Sequence, residues 1–135
     1  MVIEKDINND NIEYITNILR ENNYNLLHFK EMKEDFKALC DKDGNLIGIV
    51  SILFGKKSGI VNELFILPEY RNSVYFKYIM FYIFREFQIR DIKLNLFQVN
   101  IDDIRSINFH TKRGAKATGY KINFISYIKK YVEKI

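Results

Sequence analysis

Cysteine is almost missing from this sequence. Its single thiol, Cys40, has no partner for a disulfide or a thiolate metal site, which fits a reducing compartment and makes a small buried strand residue its expected role. No apolar run is long enough to cross a bilayer: the longest, Val74 to Phe87, is broken by Lys77, Arg85 and Glu86. The first residues, Met1-Val2-Ile3-Glu4-Lys5-Asp6, carry both signs of charge with no apolar stretch behind them, unlike a signal peptide. The expected location is therefore the cytoplasm, with no membrane partner. Low-complexity segments are absent, and proline occurs once, at Pro68, where it cannot donate to a ladder and so ends a strand.

What is present suits one folded core. With 135 residues the chain can bury most of its apolar surface without disulfides or a structural metal, so residues 1–135 are expected to form a single domain. Hydrophobic residues at 47% against 28% charged place it well away from disordered chains. The net charge of +4 permits an anionic ligand without requiring one. The basic residues fall in short clusters, such as Lys56-Lys57, Lys112-Arg113 and Lys129-Lys130, beside no recognisable reading module, so no nucleic-acid partner is expected.

Taken in order, Val2 to Ile7 reads as a short strand, and Asn8-Asn9-Asp10 offers side-chain oxygens to cap a helix. Ile12, Ile15, Ile18 and Leu19 recur at helical spacing until Asn22-Asn23. Leu26 to Met32 is either a short helix or irregular. Asp43-Gly44 between two apolar runs predicts a hairpin pairing Phe36–Cys40 with Leu46–Phe54. A second turn at Gly55 to Gly59 then leads into a third strand, Ile60 to Leu67. After Pro68 a helix follows, with Phe76, Ile79, Met80, Ile83 and Phe87 on one face. Its further aromatics make it either a deeply packed helix or one that also meets a partner subunit. Ile92 to Val99 reads as a strand parallel to the third meander strand. Asp103 caps a helix over about Ile104 to Lys112, and Gly114 stops it. Thr118 to Ile128 is a last strand region, and the tail from Ser126 to Ile135 is either strand or helix.

The stretch Asn62 to Lys77 runs from apolar strand through a sharp turn into a helix start. That arrangement favours an anion, because free backbone N–H groups and the positive end of the helix dipole converge there. Two segments carry a further signal. One is Glu63-Leu64-Phe65-Ile66-Leu67-Pro68-Glu69-Tyr70-Arg71. The other is Asp103-Ile104-Arg105-Ser106-Ile107-Asn108-Phe109-His110-Thr111-Lys112-Arg113-Gly114-Ala115. In this order of elements they resemble the GNAT superfamily of N-acyltransferases, over about Val2 to Tyr127.

The resemblance implies an α/β (α+β) fold with a mixed, mostly antiparallel central sheet of six to seven strands flanked by about four helices. It also implies acetyl-CoA, or another acyl-CoA, as co-substrate. The pantetheine arm would pair with backbone of Leu64, Phe65, Ile66 and Leu67. The pyrophosphate would lie on the backbone of Arg71, Asn72, Ser73, Val74, Tyr75, Phe76 and Lys77. The acyl group would pass to a primary amine of a small molecule or protein by direct attack. Glu63 would take the amine proton, usually through water, and His110, aligned with the family's helix tyrosine, would protonate the leaving thiolate. Nothing implies a metal. The family's loop has glycines where this chain has Val74 and Phe76, so either the loop takes another conformation or CoA binding is weakened. A catalytically degenerate binding or regulatory module is the alternative function, and a homodimer is left open. Tyr120 and Tyr127 stand where they could line an acceptor pocket.

Overall fold

The computed structural model describes residues 1–92, 94–99, 104–112, 114–117 and 123–127; the side chains described are those of 1–27, 29–31, 33–92, 104–112 and 114. It is a mixed α+β fold with four α-helices among the described residues. The elements are β1 (Ile3–Asp6), α1 (Ile12–Glu21), α2 (Leu26–Met32), β2 (Phe36–Cys40), β3 (Leu46–Phe54), β4 (Ser58–Ile66), α3 (Val74–Ile89), β5 (Leu94–Val99), α4 (Ile104–Lys112), β6 (Ala115–Ala117) and β7 (Asn123–Tyr127). Contacts divide the chain into two compact units. The first holds Met1–Ser51 and Leu64–Met80, and the second Ile52–Glu63 and Phe81–Ile135.

In the first unit the strands lie in the order β1-β2-β3-β4. The β1–β2 and β2–β3 pairs are antiparallel, with a register shift at Leu39/Cys40. Helix α1 is amphipathic as its spacing predicts: Ile15 and Leu19 are buried while Glu13, Asn17 and Arg20 are exposed. They join Phe29 of α2 and Phe36, Ala38, Cys40, Leu46 and Ile49 of the sheet in one apolar cluster. Each fully buried Leu, Ile or Phe contributes roughly 1.5–3 kcal/mol of transfer free energy. Burial also pushes the Cys40 thiol up, against the pull of Lys5, so the lone cysteine is an inert core residue.

The Asn8–Asp10 oxygens do not cap α1 as expected. Asn11 is the N-cap, without a side-chain cap bond. The asparagines instead fold the turn on itself: Asn8 Oδ1 accepts from the Asp10 N–H at 2.9 Å, and Asn11 Oδ1 accepts from the Asn8 N–H at 2.9 Å. Asn and Asp side chains compete locally with helix caps in this way. At the other end, Asn23 turns to φ 57° and stops the helix.

The β2–β3 hairpin has a charged anchor. Asp41 Oδ1 accepts from the backbone N–H groups of Asp43 and Asn45, both at 2.9 Å, and Oδ2 accepts from Asn45 Nδ2 at 3.1 Å. Gly44, at φ +86°, makes the reversal that a side chain would oppose. The Asn45 side-chain bond and these backbone donors hold the Asp41 carboxyl below its ordinary value of 3.8. A depressed carboxylate stabilises the fold fully above the unfolded pKa and loses that contribution as pH falls through the folded value. Urea titrations should therefore show wild-type stability dropping below about pH 4. In Asp41→Asn that acid-linked drop should be shallower, and stability at neutral pH lower; equal slopes in both proteins would refute this role.

In the second unit the order is β3-β4-β5-β7-β6. Strand β5 is parallel to β4, in register from Ser58↔Leu94 to Val61↔Phe97, as the intervening helix requires. Strand β7 is antiparallel to both β5 and β6. The last strand region thus begins earlier than the expected Thr118 and is two strands, of which Ala115–Ala117 is too short to show alternation. Ile83, Phe84 and Phe87 of α3 are buried, and Gly59 lies against the Phe87 ring. Gly114, at φ +94°, ends α4 as expected. The Asp103 cap, Tyr120 and the tail beyond Tyr127 lie outside the described residues, as does the Tyr127 side chain.

Candidate functional site

The strand-to-helix stretch belongs to the first unit from Leu64 onward. Ile66 closes β4, the Leu67 N–H donates to the Ile47 carbonyl at 2.9 Å, and Pro68–Tyr70 forms one 3-10 turn. Proline suits that position because its missing N–H is not needed at a helix start. The turn is closed by the Tyr70 N–H on Leu67 O at 2.9 Å and the Arg71 N–H on Pro68 O at 3.3 Å. The chain is then aimed directly into α3, whose first residue is Val74.

Three side chains fix this loop. Arg71 Nε donates to Ile66 O at 2.7 Å, with its guanidinium 5.3 Å from the centre of the Phe65 ring. Ser73 Oγ donates to Tyr70 O at 2.6 Å and accepts from the Tyr75 N–H at 3.2 Å. Tyr70 packs on the apolar cluster and meets Tyr75 edge-on at 5.2 Å. Burial, and then the charges of Asp41 and Glu69, hold the Tyr70 hydroxyl above the ordinary phenol value, so it stays protonated. Nothing in the sequence pattern marks Tyr70 and Ser73 for this fixing role beyond a serine just before a helix.

Glycine is not needed at the loop as it is built here. The described non-glycine residues with positive φ are Asn23 and Asp91. Val74 takes an ordinary helical backbone with its side chain turned outward, 53% exposed. Phe76 and Tyr75 are half-buried, while Arg71, Asn72, Ser73 and Lys77 are exposed. On the strand side Leu64 and Phe65 are half-buried and Ile66 and Leu67 buried.

The two residues expected to move protons belong to the second unit. Glu63 is half-buried on β4, two residues beyond the last pair of the β4–β5 register. His110 is buried in the last turn of α4, its ring edge-on to Phe109 at 5.1 Å. Among the described residues no group of three or more His, Cys, Asp or Glu is placed to hold a metal.

No protein-family model matches the chain, and no curated protein matches it in sequence. Solved structures do match its fold. The PaiA N-acetyltransferase of Thermoplasma acidophilum, in complex with coenzyme A, superposes with a TM-score of 0.68 at 13% identity, covering 95% of this chain and 99% of that one. The spermidine N-acetyltransferase of Vibrio cholerae, in complex with CoA and spermine, gives 0.72 at 12% identity over 98% of both chains. The N-acetylglutamate synthase of Neisseria gonorrhoeae, complexed with coenzyme A and N-acetyl-glutamate, gives 0.67 at 14% identity, covering 94% of this chain and 35% of that one. The fold is that of the GNAT N-acetyltransferases.

Proposed function

We propose that residues 1–135 form one GNAT-type domain, its sheet of six to seven strands carrying an acyl-CoA-dependent N-acyltransferase site, most simply for acetyl-CoA. The observation that carries this reading is the Leu64–Lys77 segment, a strand end, one 3-10 turn and a helix start with no strained residue in the turn. Backbone donors at such a place suit a pyrophosphate, since they are fixed and uncharged. The CoA-bound proteins that share the fold support the same co-substrate.

In this reading an uncharged primary amine, from a small molecule or a protein side chain, attacks the thioester carbonyl carbon. The carbon–sulfur bond breaks as the new amide forms. Glu63 first takes the ammonium proton of the incoming amine, through a water, to leave that uncharged nucleophile; the nitrogen sheds a second proton as the amide forms, and His110 supplies one to the leaving CoA thiolate. Backbone N–H groups of β4 polarise the carbonyl oxygen. The location is the cytoplasm; no described helix is long and apolar enough to cross a membrane.

A thermal or calorimetric titration with acetyl-CoA tests this. Ligand at a hundred times its dissociation constant should stabilise the fold by about 2.7 kcal/mol. No shift with acetyl-CoA or longer acyl-CoAs at millimolar concentration overturns the reading. The second reading is a degenerate module that binds without turning over. The large Val74 and Phe76 at the glycine positions favour it, as does the Tyr75 N–H already engaged by Ser73. CoA binding with no acetyl transfer to any amine would select it.

A further inference from the structure

We propose that the tip of the β3–β4 hairpin, together with the C-terminal end of α3, docks reversibly on an anionic lipid surface. All of the residues concerned lie within the second unit. Leu53 and Phe54 end β3, each residue 41% exposed, and Ile89 ends α3 at 64%. Lys56 and Lys57 form the exposed turn, which the Gly55 N–H closes on Ser58 O at 2.8 Å. The two ends are locked together. The Phe54 ring meets Phe87 edge-on at 6.1 Å and lies under the Arg90 guanidinium at 4.2 Å, while Arg90 Nη1 donates to Glu86 Oε2 at 2.9 Å. Exposed Arg85 stands one turn before Ile89.

Leu53 and Ile89 thus stand exposed at a turn and a helix end, with Phe54 between its Phe87 and Arg90 contacts and the exposed Lys56, Lys57 and Arg85 nearby. The acids nearby are Glu86, held by Arg90, and Asp91. Among the described side chains the second unit carries six Lys and Arg against three Asp and Glu. Apolar groups on protruding ends suit the soft boundary between headgroups and acyl chains, and the ammonium and guanidinium groups suit its anionic phosphates. A nucleic acid would match the cations but gain little from Leu53 and Ile89. A folded protein would need a groove for the tip. The expectation of no membrane partner rested on the lack of a spanning segment, which interfacial binding does not need.

Sedimentation with phosphatidylcholine vesicles, with and without phosphatidylglycerol, tests the idea in the full chain. The protein should pellet with the anionic vesicles, stay in solution with neutral ones, and be released by salt. Lys56→Glu/Lys57→Glu should weaken binding on the order of tenfold or more, and Leu53→Ser should weaken it with the charge intact. Melting curves and the milder Lys56→Gln/Lys57→Gln variant distinguish a lost surface from a lost fold. No binding to anionic vesicles overturns the proposal, as does binding that neither the charge variants nor Leu53→Ser alters. Retention only by an oligonucleotide or an acidic protein, or a dimer that the glutamates dissolve, also overturns it and assigns the surface elsewhere.

Discussion

Gly48→Ala should cost about 3 kcal/mol or more, at the upper end for overpacking and a large part of the stability of a domain this size. Gly48 is buried in β3, and a Cβ built there falls on the carbonyl oxygen of Phe65, well inside van der Waals contact, and 3.1 Å from the Ile66 Cα. Those are backbone atoms of β4, so relief would have to come from moving the strand that leads into the Leu67–Arg71 turn. Gly59→Ala is the informative control. Its Cβ would press the edge of the Phe87 ring, 2.9 Å from Cδ1, and a ring can shift where a strand cannot. Phe87 is itself fully buried, so a loss of about 1–3 kcal/mol is expected there. Urea denaturation of both variants provides the comparison. A Gly48→Ala midpoint equal to that of the parent, or a loss smaller than that of Gly59→Ala, would show that the close approach of β3 and β4 is not a constraint.

Gly48 is not singled out by the sequence, and Gly59, expected at the end of a turn, lies instead within β4; the reason applies more widely. Periodicity reports which face of an element is apolar, so α1 and the Asp43-Gly44 hairpin were legible, as was the parallel β5 implied by an intervening helix. It does not report how closely two backbones approach. Nor could it separate the faces of α3, where apolar residues run nearly all the way round. Phe84, outside the face expected to be apolar, is core, while Phe76, on that face, is only half-buried. The Asn8–Asp10 cap failed for a related reason: Asn and Asp side chains serve turns as readily as helix ends, and the choice depends on partners a few residues away. At the loop, where the family's glycines give way to Val74 and Phe76, the structure uses no positive φ: it has one 3-10 turn, Arg71 bonded to the strand end and Ser73 bonded to Tyr70, none of which a motif can display. Pro68 and the position of Arg71 were the legible part.

Glu63→Gln should lower kcat by roughly two to four orders of magnitude, the range for removing a general base, with the acetyl-CoA stabilisation kept. The substitution preserves shape and removes only the ability to accept a proton from the attacking amine, so binding and chemistry separate. Its pH dependence gives a second readout. Without a base, attack depends on amine already deprotonated in solution, and an alkylamine has a pKa near 10.4, so the deficit should shrink as pH rises. His110→Gln should cost less than Glu63→Gln. A thiol with a pKa of about 8.5 yields a thiolate that leaves with little help at high pH, so the His110 effect should be confined to lower pH. His110 is buried, and the variant's melting temperature must be recorded to set apart a packing loss. Turnover by Glu63→Gln within a few-fold of the parent across the pH range would remove Glu63 as the base. A pH-independent loss in both variants, tracking their melting temperatures, would make both residues structural. The acyl-CoA reading itself would then rest on the titration alone.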